Sequence, residues 1–123
     1  MVVCMAHTHH SIDYVEIQVA DVAGAKEFFA AAFGWTFNDY GPDYAGIVAA
    51  DGDGEAGGLT RGDQQGRSPL VLLTSDDLAA SEAAVRDAGG EVVEGPFDYP
   101  GGRRFHFRDP SGNVLGVFQP ASH

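Results

Sequence analysis

The sequence predicts an α+β fold made of two βαβββ modules, and three observations predict it. Residues Ile12 to Ala20 alternate, with Val15, Ile17 and Val19 on one face and Tyr14, Glu16 and Gln18 on the other, as a half-buried strand does. Val22, Ala25, Phe28, Phe29, Ala32 and Phe33 then recur at helical spacing, between Asp21 as N-cap and Gly34 as a left-handed stop. The pattern returns after a shift of 56 residues, which lays Tyr14 on Leu70, Asp21 on Asp77 and Gly34 on Gly90. A small sheet carrying one helix leaves its other face wet, so the two copies are expected to share a cavity or a partner.

The remaining elements follow in order. Trp35 to Tyr40 and Tyr44 to Ala50 read as strands joined by Gly41-Pro42-Asp43, and Glu55 to Thr60 as a short fourth strand after a glycine-rich turn. Arg61 to Ser68 is polar and aperiodic, a linker. In the second copy, Pro69 to Thr74 is a strand, and Asp76 or Asp77 caps a helix that runs to Ala88 and ends at Gly89-Gly90. Glu91 to Tyr99, Arg103 to Arg108 and Asn113 to Gln119 are strands. In the turn between the last two, Asp109 accepts backbone hydrogen bonds, Pro110 presets φ and Gly112 tolerates positive φ. The expected organisation is one domain over residues 12–119, with module one at 12–60, a linker at 61–68, module two at 69–119 and a tail at 1–11.

Composition narrows the partners. The chain has 123 residues and carries 7 Lys+Arg against 18 Asp+Glu, for a formal net charge of −11. That balance disfavours a nucleic-acid backbone and an anionic membrane surface. No apolar run is long enough to span a bilayer. The single cysteine, Cys4, forms no internal disulfide, and the apolar start Met1 to Ala6 is interrupted by histidines, so a cytoplasmic location is expected. His7, His9 and His10 are read as part of a tail with no role.

The paired modules, the Val-Ala-Asp-Val opening at residue 19, Phe33-Gly34-Trp35 and the run Arg104-Phe105-His106-Phe107-Arg108-Asp109-Pro110-Ser111-Gly112-Asn113 resemble the vicinal oxygen chelate superfamily. That group includes glyoxalase I, bleomycin-resistance proteins and extradiol dioxygenases. The resemblance implies that each module curls into a half-barrel, with a ligand in the cup and often a dimer interface beside it. It also implies that enzymes of the group hold a divalent metal on the first and last strands of each module. The corresponding positions here are Tyr14, Gly58, Leu70 and Gly116. Three of those four offer no donor side chain, so no catalytic metal and no cofactor are expected.

If Tyr14 and Leu70 face the cup, strand alternation brings Glu16, Arg104, His106 and Gly116 to the same side. Trp35 and Phe37 are added as aromatic surfaces for a flat ligand. The expected ligand contacts are therefore Tyr14, Glu16, Trp35, Phe37, Leu70, Arg104, His106 and Gly116, with no residue assigned a catalytic role. Two arginines and a histidine in a row, at 104, 106 and 108 of an acidic chain, point to a small anionic or aromatic ligand. The plainer reading pairs those cations with neighbouring carboxylates. The alternative is a lyase or isomerase with Glu16 as base, Tyr14 or His106 as acid and Arg104 holding an oxyanion. A homodimer is expected, because a two-fold interface is the commonest way to cover a half-sheet.

Overall fold

The computed structural model describes residues 8–62 and 68–121. The chain divides into two compact units, one of Tyr14–Pro69 and one of Leu70 onward together with the residues just ahead of Tyr14. Each carries one βαβββ module. Module one contains β1 (Ile12–Val19), α1 (Val22–Phe33), β2 (Phe37–Asp39), β3 (Tyr44–Val48) and β4 (Glu55–Arg61). Module two contains β5 (Leu70–Thr74), α2 (Leu78–Asp87), β6 (Glu91–Tyr99), β7 (Gly102–Arg108) and β8 (Val114–Pro120). The linker expectation falls mostly on residues outside those described. Among the described residues, no helix is long and apolar enough to cross a membrane.

The two modules weave their strands identically. Module one runs β2-β3-β4-β1 with β1 parallel to β4, and module two runs β6-β7-β8-β5 with β5 parallel to β8. The other neighbours within each module are antiparallel. The first strand, sent across by its helix, can pair in parallel only with a strand that returns later, and the last strand takes that place. The 56-residue repeat of the sequence is thus a repeat of topology.

Capping chemistry sets the helix ends. Gly34 takes φ 73° and returns its N–H to the Ala30 carbonyl at 2.9 Å, closing α1 as the sequence predicts. In α2 the N-cap is Asp77 and not Asp76, because the Asp77 carboxylate accepts the Ala80 N–H at 3.1 Å. Gly89, with φ 99°, is the left-handed residue that follows.

In module two, Phe105 is fully buried and packs with Leu78 of α2 and Val117 of β8, with Leu73, Val85, Val92 and Phe107 around them. The α2 side of this sheet is therefore its apolar side. The turn after β7 has the predicted chemistry. One Asp109 carboxylate oxygen accepts the Ser111 and Asn113 N–H groups at 2.9 and 2.8 Å, and Gly112 takes φ 96°. Hydrogen bonds from Asn113, then from the Ser111 and Gly112 amides, hold the exposed Asp109 carboxyl below its ordinary pKa.

Candidate functional site

Register decides which side chains share a face. In module one the paired residues Glu16, Gly58, Gly46 and Asn38 form one row across β1, β4, β3 and β2. In module two the matching row is Leu72, Gly116, His106 and Glu94. Tyr14 lies two residues before Glu16 and Leu70 two before Leu72, so both belong to these faces. The residue beside each last-strand glycine is thus Glu16 or Leu72, one step along the strand from Tyr14 and Leu70.

Module one gathers a carboxylate and phenol cluster on its row. The hydroxyls of Tyr14 and Tyr44 share a hydrogen bond of 2.6 Å. Tyr44 Oη also donates to Glu16 Oε2 at 3.1 Å, and Tyr14 Oη lies 3.4 Å from Glu55 Oε1. The other Glu55 oxygen accepts from Asn38 Nδ2 at 3.0 Å and from the Tyr40 hydroxyl. Two glycines make the room. A Cβ on Gly58 would stand 2.0 Å from Tyr44 Oη, and one on Gly46 would stand 2.2 Å from Glu55 Oε2. Gly58 and Gly46 are thus each overlaid by a side chain of the neighbouring strand.

Glu55 is the member that strand alternation misses. Counted by twos from Gly58 it falls on the opposite face, but the β3–β4 register shifts so that Ile47 pairs with Gly57 while Val48 pairs with Glu55. Ala56 is the extra residue, and this bulge turns Glu55 onto the Glu16 face. The same device acts twice in β6, where register shifts bring both Glu94 and Phe97 opposite the polar-face residues of β7.

Burial, above all, raises the pKa of Tyr14, with the charges of Glu55 and Glu16 adding to the effect. Burial likewise leads for Tyr44, followed by its hydrogen bond to Tyr14 and the Glu16 charge. Both phenols stay protonated through the neutral range and keep their hydroxyl hydrogens for donation. A phenol whose folded pKa is raised favours the folded state below the ordinary value near 10. That contribution is lost as pH rises above 10, because the unfolded chain ionises first. A spectrophotometric titration is therefore expected to show Tyr14 and Tyr44 ionising only well above pH 10 in the folded protein, with Tyr40 also raised by its hydrogen bond to Glu55, and all three ionising earlier in denaturant. Four tyrosines titrating together near 10 in the folded state would refute the cluster.

Module two presents the basic row. His106 is buried, with Nδ1 3.1 Å from Glu94 Oε1 and its ring edge-on to Phe97 at 5.7 Å. The Arg104 guanidinium lies over Tyr99 at 5.1 Å and over Phe97 at 5.7 Å. Gly116 leaves space for Leu72 and His106, since its Cβ would stand 2.4 Å from Leu72 Cδ2. Within the row, Arg108 pairs with Glu91 and His106 with Glu94, as the plainer reading has it, and Arg103, off the row, pairs with Asp98.

Of the eight expected ligand contacts, Tyr14 and Glu16 share the module-one face, while Leu70, Arg104, His106 and Gly116 share the module-two face. Phe37 and Trp35 do not join them. Phe37 pairs with Ile47 on the side where Asp39, two residues on, forms an ion pair with Lys26 of α1. Trp35 stacks on Phe29 of α1 at 4.7 Å and 11°. Trp35 thus serves helix packing, the default role of such rings, and Phe37 lies on the same helix side of its strand.

Paired βαβββ modules, with polar side chains on one sheet face and a helix on the other, define a glyoxalase-like fold. Residues 11–117 match the model of the Glyoxalase/Bleomycin resistance protein/Dioxygenase superfamily, and the chain belongs to that family. A Mycobacterium bovis protein named "Putative glyoxylase CFP32" is 30% identical over 120 residues, covering 90% of this chain and 46% of the relative. The anthracycline biosynthesis protein DnrV of Streptomyces peucetius is 30% identical over 118 residues, covering 80% of this chain and 43% of its own length. The chain thus spans under half the length of these relatives. The Mn(II)-bound glyoxalase of Novosphingobium aromaticivorans superposes with a TM-score of 0.65 at 26% identity, over 90% of this chain and 39% of that one.

A divalent metal held as the family's enzymes hold it does not fit the residues present. Gly58, Leu70 and Gly116 supply no donor atom, and Glu55 is already engaged by Tyr14, Asn38 and Tyr40. Among the described residues, no three His, Cys, Asp or Glu side chains come together as a metal-holding group.

Proposed function

We propose that the protein binds a small aromatic anion without the help of a metal. The observation that carries this reading is Arg104, whose guanidinium lies against Tyr99 and Phe97 on the face that also holds His106 and Gly116. A planar cation laid against rings is oriented before a ligand arrives, so less freedom is lost on binding. In a chain of net charge −11, such a local cation is what an anion requires. A charge-assisted hydrogen bond contributes about 1.5–3 kcal/mol, roughly tenfold or more in affinity. Calorimetry with benzoate, phenyl phosphate and benzyl alcohol tests the reading. The two anions are expected to bind more tightly than the alcohol, and Arg104→Met to weaken them by roughly tenfold or more while the fold is kept. Equal affinity for the alcohol, or anion binding unchanged in the variant, overturns it.

A second reading rests on module one. Glu16 beside the protonated Tyr44 and Tyr14 is an acid and base set suited to moving a proton next to a carbonyl, the chemistry of a lyase or isomerase. The glyoxylase and glyoxalase names of the relatives favour it. Deuterium incorporation from solvent into an α-hydroxy ketone, abolished in Glu16→Gln, is the result that would place it first.

A further inference from the structure

A cavity of about 360 Å³ lies in module two between α2 and the apolar side of its sheet, on the face opposite Arg104 and His106. Leu73, Val85, Phe107 and Val117 form its walls. Its polar end is a short chain of hydrogen bonds, in which His10 Nε2 lies 2.9 Å from Ser81 Oγ and Ser81 Oγ lies 2.7 Å from Ser75 Oγ. His10 is fixed there by its N–H on the Thr74 carbonyl at 2.8 Å and by stacking on His9 at 3.7 Å.

The internal repeat shows that α2 contributes no ring beside this space. The 56-residue shift lays Phe28 and Phe29 of α1 on Ala84 and Val85 of α2, and Trp35 on Glu91. Where module one packs Phe29 on Trp35, module two carries an isopropyl group and a carboxylate. Ala84 and Ala88 line the cavity with methyl groups alone. The helix side of module two therefore carries no ring at these positions, and the rings on this face come from β7, where Phe105 and Phe107 stand in place of Ala45 and Ile47 of β3.

We propose that this cavity is a second binding site, which takes a small neutral aromatic alcohol. The ring lies among Leu73, Val85, Phe107 and Val117, and the hydroxyl meets His10 and Ser81. A volume of this size with apolar walls and one polar end is that of a small-molecule site. An anionic head is disfavoured, because Asp109 lines the cavity with a carboxyl held ionised by its turn, in a chain of net charge −11.

The test uses 2-naphthol, 2-naphthoate and naphthalene, followed by calorimetry and by methyl NMR of Leu73, Ala84, Val85 and Ala88. Saturable binding of 2-naphthol is expected, with shifts at these methyls, and naphthalene is expected to bind about three- to tenfold more weakly, the effect of one neutral hydrogen bond. Val85→Phe restores the module-one pattern and Ala88→Leu fills the cavity from the next turn, so each folded variant is expected to lose 2-naphthol binding. Should neither variant fold, the methyl shifts of the parent protein decide. The proposal is overturned by tighter binding of 2-naphthoate, by shifts confined to the Arg104 and His106 face, or by binding that survives in a folded filling variant.

Discussion

Phe105→Ala is expected to remove about 3–5 kcal/mol of stability, the range for emptying a buried phenylalanine site. Phe105 has no exposed surface, and its neighbours Leu78 and Val117 are themselves 3% and 4% exposed, so little can move in to refill the space. Against the 5–15 kcal/mol that holds a typical domain, such a loss brings the folded state close to its limit. It also reaches the face proposed to bind the ligand, because β7 alternates. Phe105 anchors the strand on α2, and Arg104 and His106 project from its other side. Urea denaturation is the measurement. The midpoint is expected to fall with an unchanged slope, while Phe28→Ala, at a side chain 59% exposed, is expected to shift it by under about 0.5 kcal/mol. A loss below about 1 kcal/mol for Phe105→Ala would mean that this core is not packed as described.

The fold was legible because its signals are local and repeated. The spacing from Val22 to Phe33 with Gly34 behind it defines α1 at both ends, and Asp109 to Asn113 defines the β7–β8 turn through atoms that are close in sequence. The faces of β1, β5, β7 and β8 follow from alternation alone, which placed Tyr14, Glu16, Leu70, Arg104, His106 and Gly116 correctly relative to their strand neighbours. Alternation failed where a strand gains a residue. Nothing in Glu55-Ala56-Gly57-Gly58 marks Ala56 as the bulged position, so alternation alone leaves Glu55 off the Glu16 face. Tyr44 shares a face with Gly46, yet its bond to Tyr14 joins residues 30 apart, through a third strand whose register sequence does not reveal. The aromatics were the opposite failure. Trp35 and Phe37 look like ligand surfaces on a list of residues, whereas Trp35 stacks on Phe29 of α1 and Phe37 shares its strand face with Asp39, the partner of Lys26 of α1.

Gly58→Ala is expected to dismantle the module-one cluster while leaving the strands paired. The added Cβ would stand 2.0 Å from Tyr44 Oη and 2.4 Å from its Cζ, far inside contact distance, so the ring must swing away. Its departure breaks the bond to Tyr14 at 2.6 Å and the bond to Glu16 at 3.1 Å. One neutral and one charge-assisted hydrogen bond, both part-buried, set the expected loss at about 2–3 kcal/mol. Gly57 offers the contrast, because a Cβ there would stand 2.0 Å from the Val15 carbonyl oxygen, which belongs to the backbone and cannot rotate out. Gly57→Ala is expected to disrupt the β1–β4 ladder itself, whereas Gly58→Ala acts on side chains alone. The tyrosine titration separates the two cases from simple unfolding. In Gly58→Ala the ring that leaves its buried position ionises closer to the ordinary value near 10, in a protein whose circular dichroism is otherwise unchanged. If the variant keeps both late-ionising tyrosines, Tyr44 does not lie across Gly58, and Glu16 has no phenol beside it to act as acid or donor.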